Sequence, residues 1–252
     1  MTRILAITNQ KGGVGKTTTA LNLGYELAKR QRRVLLVDLD PQAGLTVMMG
    51  LDPYTLERSS YSLLMHNNMR LVRALHTVNS QLALIPGSID LAVGMVKIVQ
   101  EEHPLDRLRD VLHQSHVTFD DILIDTPPTL DVMTAISLVA ADEVLIPAQC
   151  QYLAMLGIRA VKDSIQRVRD GMRNPNLKLR GVLPTMFDAS SSQAQGVLTE
   201  MRALLGSDVL ETVIPYDVRV QDAPHRGKPV VEEAPDSPAA VAYRRAADEL
   251  LT

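Results

Sequence analysis

Residues 9–24 read NQKGGVGKTTTALNLG, a glycine-rich loop set between a short apolar run at 3–8 and an amphipathic stretch that follows it. Gly12, Gly13 and Gly15 make the loop entropically expensive to order, so an ordered form needs a compensating ligand. The loop also carries two ammonium groups, Lys11 and Lys16, only five residues apart. They repel each other unless several negative charges lie between them. A strand, a loop built around a polyanion and a helix are the first three elements this chain must form.

The end of the loop matches the phosphate-loop pattern G-x-x-x-x-G-K-[ST] at Gly15, Lys16 and Thr17, although Gln10 stands where the pattern has its first glycine. Backbone N–H groups of Gly12, Gly13, Val14 and Gly15, with the helix N-terminus, form an anion-binding nest. Lys16 reaches the β- and γ-phosphates in such a loop, and the Thr17 hydroxyl takes one Mg2+ position. Lys11 has two readings: a cation crossing to a nucleotide held by a second copy, or a solvated surface lysine. A plain glycine turn with Thr17–Thr19 as helix caps is the bland alternative for the whole segment.

Beyond the loop, apolar runs alternate with helical patterns. Strands are expected at 3–8, 33–40, 82–87, 120–128, 142–149, 179–187 and 210–215, and helices at 16–30, 90–116 (interrupted near Pro104), 130–140, 153–173, 192–205 and 238–251. Several strand runs are continuously apolar, as in strands buried on both faces of a parallel sheet. The alternation predicts an α/β fold, a doubly wound, mostly parallel sheet flanked by helices, with ligands at the carboxyl ends of the strands. With no repeat or linker in view, 1–252 reads as one domain, and 52–80 is its least regular part.

Two strand ends carry carboxylates. VDLDPQ puts Asp38 and Asp40 at one end, on one face by the two-residue period, beside the phosphate loop if the two strands are neighbours. One could hold Mg2+ through water and the other orient or deprotonate an attacking water; Asp40 before Pro41 could instead only start a turn. DILIDTPP ends in Asp125, the Walker B arrangement in which a strand-end carboxylate reaches the Mg2+ shell.

Composition narrows the remaining possibilities. A net charge of −3 means that nucleic-acid binding needs a local basic patch, and 3% aromatics with no Trp weighs against base stacking. One cysteine, Cys150, excludes an internal disulfide and argues against a cysteine-held zinc or iron–sulfur centre within one chain. The start is too short for a signal peptide and no apolar run nears the ~20 residues that span a bilayer, so a cytoplasmic protein is expected.

Five segments together, KGGVGKTT, VDLDPQ, DTPP, IPAQCQYLAMLG and APHRGKPV, resemble the ParA/Soj partitioning ATPases of the deviant Walker A, or ParA/MinD, group of P-loop proteins. The likeness spans nearly the whole chain and is to the short form without an N-terminal helix-turn-helix domain. It implies a P-loop NTPase fold and slow, Mg2+-dependent ATP hydrolysis. Lys11 then contacts nucleotide across an ATP-dependent homodimer, Lys16 and Thr18 contact phosphates, Thr17 is the Mg2+ ligand and Asp40 positions the hydrolytic water. Asp38 and Asp125 are supporting Mg2+-shell carboxylates. Met186, Phe187 and Asp188, with Pro215, Tyr216, Asp217 and Val218, lie where such proteins hold adenine.

The resemblance further implies non-specific binding of double-stranded DNA by the dimer, nucleoid association, and hydrolysis stimulated by a ParB-type partner. Arg219, Arg226, Lys228, Arg244 and Arg245 are the candidate DNA contacts. The sequence departs from the family at Ser190 and Tyr216, where relatives commonly carry Arg. Two other classes stay open. A MinD-like membrane-cycling ATPase would need a cationic, bulky amphipathic C-terminus, whereas AAVAYRRAADELLT has small residues and two arginines. A metabolic P-loop enzyme is the other.

Overall fold

The computed structural model describes every residue except 1, 67–69, 101–102, 114–117 and 172. Seven strands form one sheet: β1 (Arg3–Ile7), β2 (Val34–Asp38), β3 (His76–Thr77), β4 (Leu82–Ile85), β5 (Asp121–Asp125), β6 (Glu143–Gln149) and β7 (Lys178–Thr185). Their order is β3-β4-β2-β5-β1-β6-β7, and all pairs are parallel except β3 with β4. The expected doubly wound, mostly parallel sheet is therefore present. One part of the expectation changes: β2 does not neighbour β1, because β5 lies between them. The register sets Asp125 level with Asp38 on one side and Ile7 on the other, so these strands end together under the glycine loop.

Helices cover both faces. They are α1 (Lys16–Lys29), α2 (Gly44–Met48), α3 (Ser60–Met65), α4 (Leu71–Ala74), α5 (Leu91–Ile98), α6 (Arg107–His113), α7 (Val132–Ala140), α8 (Ala154–Asp170), α9 (Ser192–Leu205), α10 (Arg219–Asp222), α11 (Val230–Glu233) and α12 (Pro238–Leu251). Successive strand residues point to opposite faces. Thus Ile4, Ala6, Leu35, Val37, Ile122 and Ile124 join the layer of α3 and α5–α9, and Leu5, Ile7, Val34, Leu36 and Leu123 join that of α1 and α12. Burial on both faces is why these strands read as unbroken apolar runs. The small residues of α12, from Ala239 to Ala247, are its buried face.

Helix boundaries follow from capping. Ser191 accepts from Ala194 N–H, Asp131 from Met133 N–H and Ser237 from Ala240 N–H, and Pro238 occupies the first helical position. The predicted 90–116 helix resolves into α5, a 3-10 turn at Pro104–Asp106 and α6; 101–102 and 114–116, like 172 in the predicted 153–173, lie outside the described residues. The irregular 52–80 stretch holds α3, α4 and β3, α3 opening on a Ser59–Ser62 capping box.

The predicted strand at 210–215 is a correction. Isolated bridges, Val182 with Val209 and Phe187 with Pro215, and the Leu210 and Ile214 amides, which donate to the Val182 and Pro184 carbonyls at 2.9 Å each, hold this segment beside β7 without making it a strand. Between them the Glu211 and Thr212 amides donate to the Glu249 carboxylate on α12, at 2.7 and 3.0 Å, instead of to a neighbouring strand.

Candidate functional site

The glycine loop leaves β1 at Thr8 and enters α1 at Gly15. Gly13 (φ +73°) and Gly15 (φ +86°) adopt the left-handed conformation that side chains disfavour. Gly15 is the N-cap of α1 and offers no capping side chain, so no side chain covers the opening amides of the helix. The loop is braced from the neighbouring strands. Asn9 Nδ2 donates to the Pro147 carbonyl at 2.8 Å, while Asn9 Oδ1 accepts the Lys11 N–H at 3.1 Å. Thr185 Oγ1 donates to the Val14 carbonyl at 2.9 Å. Gly157 on α8 makes room for Asn9, since a Cβ there would lie 2.8 Å from Asn9 Oδ1.

Lys16 is 6% exposed, and its Nζ donates to the Lys11 carbonyl at 3.4 Å. Burial lowers its pKa against the opposing pull of Asp125 and Asp40. Thr17 packs beside Gly44 at the start of α2. The three strand-end carboxylates differ sharply in their partners. Asp125 is fully buried and neither oxygen has a hydrogen-bond partner among the described residues. Burial and then the Asp38 charge push its pKa well up, while the nearby Thr17 hydroxyl, outside hydrogen-bond geometry, and the Lys16 ammonium pull it down.

Asp40 is nearly buried and accepts the Gln42 N–H at 2.8 Å. Burial raises its pKa, and the Gln42 amide and Lys16 oppose that rise. Asp38, at 0% exposure, accepts from Thr46 Oγ1, Thr46 N and Asp40 N at 2.7, 2.9 and 3.1 Å. Burial outweighs these bonds and takes its pKa to about 6. The structure therefore brings Lys16, Thr17, Asp40 and Asp125 together and turns Asp38 toward α2. Among the described residues, no group of three or more His, Cys, Asp or Glu side chains could hold a metal. A cation site here would draw on one carboxylate, one hydroxyl and oxygens brought by a ligand.

Lys11 is half-buried and its Nζ donates to Gln151 Oε1 at 2.9 Å, just ahead of α8. Tyr152, Leu153 and Leu156 beside it are exposed. Of the expected base-binding residues, Met186 (φ +50°), Pro215 and Asp217 line a cleft running from Gly15 and Thr18. Asp188 and Val218 do not line it: Asp188 accepts from Ser190 N and Oγ, and Val218 faces solvent. Asp217 Oδ1 accepts from Arg219 Nε at 2.8 Å, and Oδ2 from Ala239 N at 3.3 Å. Tyr216, from the same expected stretch, lines it as well, and so do Gln221 and Tyr243, which were not expected there. Tyr243 sits 3.5 Å from Thr19 Oγ1, a pairing across 224 residues that no local pattern signals.

The five basic candidates spread over 219–245. Arg219 pairs with Asp217 and Arg226 with Glu233, and Arg244 donates to the Pro235 carbonyl. Lys228 and Arg245 are exposed. No helix among the described residues is long and apolar enough to cross a membrane.

Residues 2–179 match the AAA domain family. The chromosome-partitioning ATPase Soj of Thermus thermophilus is 41% identical over 249 residues, covering 99% of this chain and 95% of that protein. The sporulation initiation inhibitor protein Soj of Bacillus subtilis is 38% identical over 252 residues, with 99% and 98% covered. Among solved structures, cobyrinic acid a,c-diamide synthase from Mycobacterium smegmatis, with bound ATP analogue and magnesium, is similar at a TM-score of 0.87 and 36% identity. That match covers 100% of this chain and 95% of the other.

Proposed function

The chain belongs to the ParA/Soj family of deviant Walker A P-loop ATPases, and from that premise we propose that it is a slow, Mg2+-dependent ATPase switch that partitions a chromosome or plasmid. The observation that carries this reading is the fully buried, unpartnered Asp125 carboxylate beside Lys16 and the uncapped opening of α1. Those groups fit a nucleotide with a divalent cation: Asp125 and Thr17 hold the ion, Lys16 and the loop amides hold the phosphates, and the cleft at Met186 and Pro215 takes the base. The ion, once bound, offsets charge on the phosphate oxygens. Asp40 orients the attacking water and accepts its proton.

Lys11 leaves Gln151 and crosses to the nucleotide of a second copy, so ATP makes the dimer. The dimer binds double-stranded DNA without sequence preference through Arg219, Arg226, Lys228, Arg244 and Arg245, with affinity that falls as salt rises. A ParB-type partner stimulates turnover on the nucleoid. Because α12 commits its apolar face to the core, DNA is favoured over a membrane as the surface this protein visits.

Lys11→Ala and Lys16→Ala test the scheme. Lys16→Ala should lose nucleotide use, whereas Lys11→Ala should bind nucleotide and remain monomeric by light scattering with a non-hydrolysable ATP analogue and Mg2+. A Lys11→Ala protein that dimerises and hydrolyses normally overturns the crossing role. A second reading, a metabolic P-loop enzyme, is favoured by the name of the Mycobacterium smegmatis relative. Hydrolysis raised by DNA and partner with no small-molecule substrate present separates it from partitioning.

A further inference from the structure

Three segments remote in sequence converge on the end of β2. Asp38 Oδ2 accepts both the hydroxyl and the amide of Thr46, and Oδ1 accepts the Asp40 amide. The Thr46 hydroxyl oxygen in turn accepts the Gly87 N–H at 2.6 Å. The Asp38 carbonyl accepts the Ser60 Oγ–H at 2.7 Å, and the Ser60 amide donates to the Pro86 carbonyl at 2.8 Å. Asp38, Thr46 and Ser60 are all at 0% exposure. Gly87 has its own steric reason to be glycine: a Cβ there would stand 2.8 Å from Asp38 Cγ and 2.9 Å from Oδ2.

We propose that Asp38 is a positioning residue for hydrolysis, the centre of a latch with Thr46 and Gly87, and is not itself a metal-shell carboxylate. The inference rests on the ATPase reading above. A carboxylate that already accepts three donors has little left for a cation or its water. What it does hold is the start of the Asp40 turn, through the Asp40 amide, and α2, through Thr46. Gly44 opens α2 and packs against Thr17. Freeing the latch therefore lets Asp40 and the α2 wall shift against the phosphate loop, although none of the groups assigned to nucleotide or metal has been removed. Placement errors of this kind lower the rate of a step more than the affinity of the ground state.

Three variants test the latch: Thr46→Val, which removes the hydroxyl; Thr46→Ser, which restores it; and Gly87→Ala, which crowds Asp38 and leaves every hydrogen-bonding group in place. The readouts are affinity for a fluorescent ATP analogue with Mg2+, single-turnover hydrolysis, and hydrogen exchange of the Thr46 and Gly87 amides without nucleotide. Thr46→Val and Gly87→Ala should each hydrolyse at least about tenfold more slowly, with affinity held within about threefold, and exchange both amides faster. Thr46→Ser should stay within about twofold of the parent in all three. Unchanged hydrolysis and exchange in Thr46→Val overturn the latch. So does affinity that falls in step with hydrolysis, which would make Asp38 part of the metal site. An inactive parent protein would instead sink the ATPase reading, while the exchange data still report on the latch.

Discussion

Among the described residues, Asp125 is a buried carboxylate left without compensating hydrogen bonds. It has no exposure, stands level with Asp38 on the adjacent strand and has no hydrogen-bond partner at either oxygen. Leaving a buried polar group unsatisfied costs about 1–3 kcal/mol, and more when it is charged. The upward direction of its pKa, caused by burial and then by Asp38, already includes the opposing attraction of Thr17 and Lys16. The folded site therefore favours the neutral form. Asp125→Asn keeps the shape and removes the charge, so it should stabilise the ligand-free protein by about 1–2 kcal/mol.

At roughly 2–4 °C per kcal/mol for a domain of this size, that is a rise in Tm of about 2–8 °C. The pH dependence fixes the sign. A carboxyl whose folded pKa exceeds its unfolded value binds its proton more tightly when folded, so the penalty is absent below 3.8, grows with rising pH and is complete above the raised folded value. The advantage of Asn should follow the same course in calorimetry across a pH series. With Mg2+ and an ATP analogue the order should reverse, because the parent alone offers the cation a carboxylate. An Asn variant less stable than its parent at every pH without ligand refutes the picture of an unpaired buried charge.

Two further substitutions probe the supports of the site. Gly157→Ala would press a methyl to 2.8 Å from Asn9 Oδ1 and push Asn9 off the Lys11 amide; at about 0.5–1.5 kcal/mol per bond, nucleotide affinity should drop about 2- to 12-fold in a fluorescence titration, and unchanged affinity removes Asn9 as a brace. Asp217→Ala should cost about 1–2 kcal/mol in denaturant unfolding near neutral pH, from the lost contacts to Ala239 N and Arg219. Burial pushes the Asp217 pKa up, but the bonds from Arg219 and Ala239 outweigh it and hold it below 3.8; its stabilisation is complete above that value and is lost as pH falls through the folded pKa, so variant and parent should converge in acid.

The parts of this molecule that were legible in sequence are those whose cause is local. Strands buried on both faces announce themselves as apolar runs, and α9 and α12 begin where Ser191 and Ser237 cap them. The glycine loop was legible because its conformation depends on backbone freedom at Gly13 and Gly15, next to Lys16 and Thr17. Strand order was less so: the runs ending in Ile7 and Asp38 give no sign that β5 inserts between them. The short helices α2, α10 and α11 have too few residues for a period, and the 210–215 run makes no continuous ladder because Glu249, far along the chain, takes the Glu211 and Thr212 amides. The cleft at Met186 and Pro215 was half legible, since Tyr243 reaches it from α12.

The three acidic residues illustrate why residue type at a strand end underdetermines role. Asp38, Asp40 and Asp125 share the same kind of position, and burial is the first cause of the raised pKa in each. What separates them is the supply of donors. Asp38 has three, Asp40 has one, and Asp125 has none. In the proposed scheme the carboxylate with three donors holds structure, the one with a single donor keeps an oxygen for a water, and the one with none takes a cation. The buried Lys16 faces two of them already, Asp125 and Asp40, so a triphosphate entering alone would add negative charge where positive charge is scarce. At a few ångströms and low effective dielectric such repulsion amounts to kilocalories, which a divalent ion at Asp125 and a second lysine would relieve in the proposed scheme. In the proposed dimer, Lys11 arriving from the second copy would answer the charge deficit that the strand ends create.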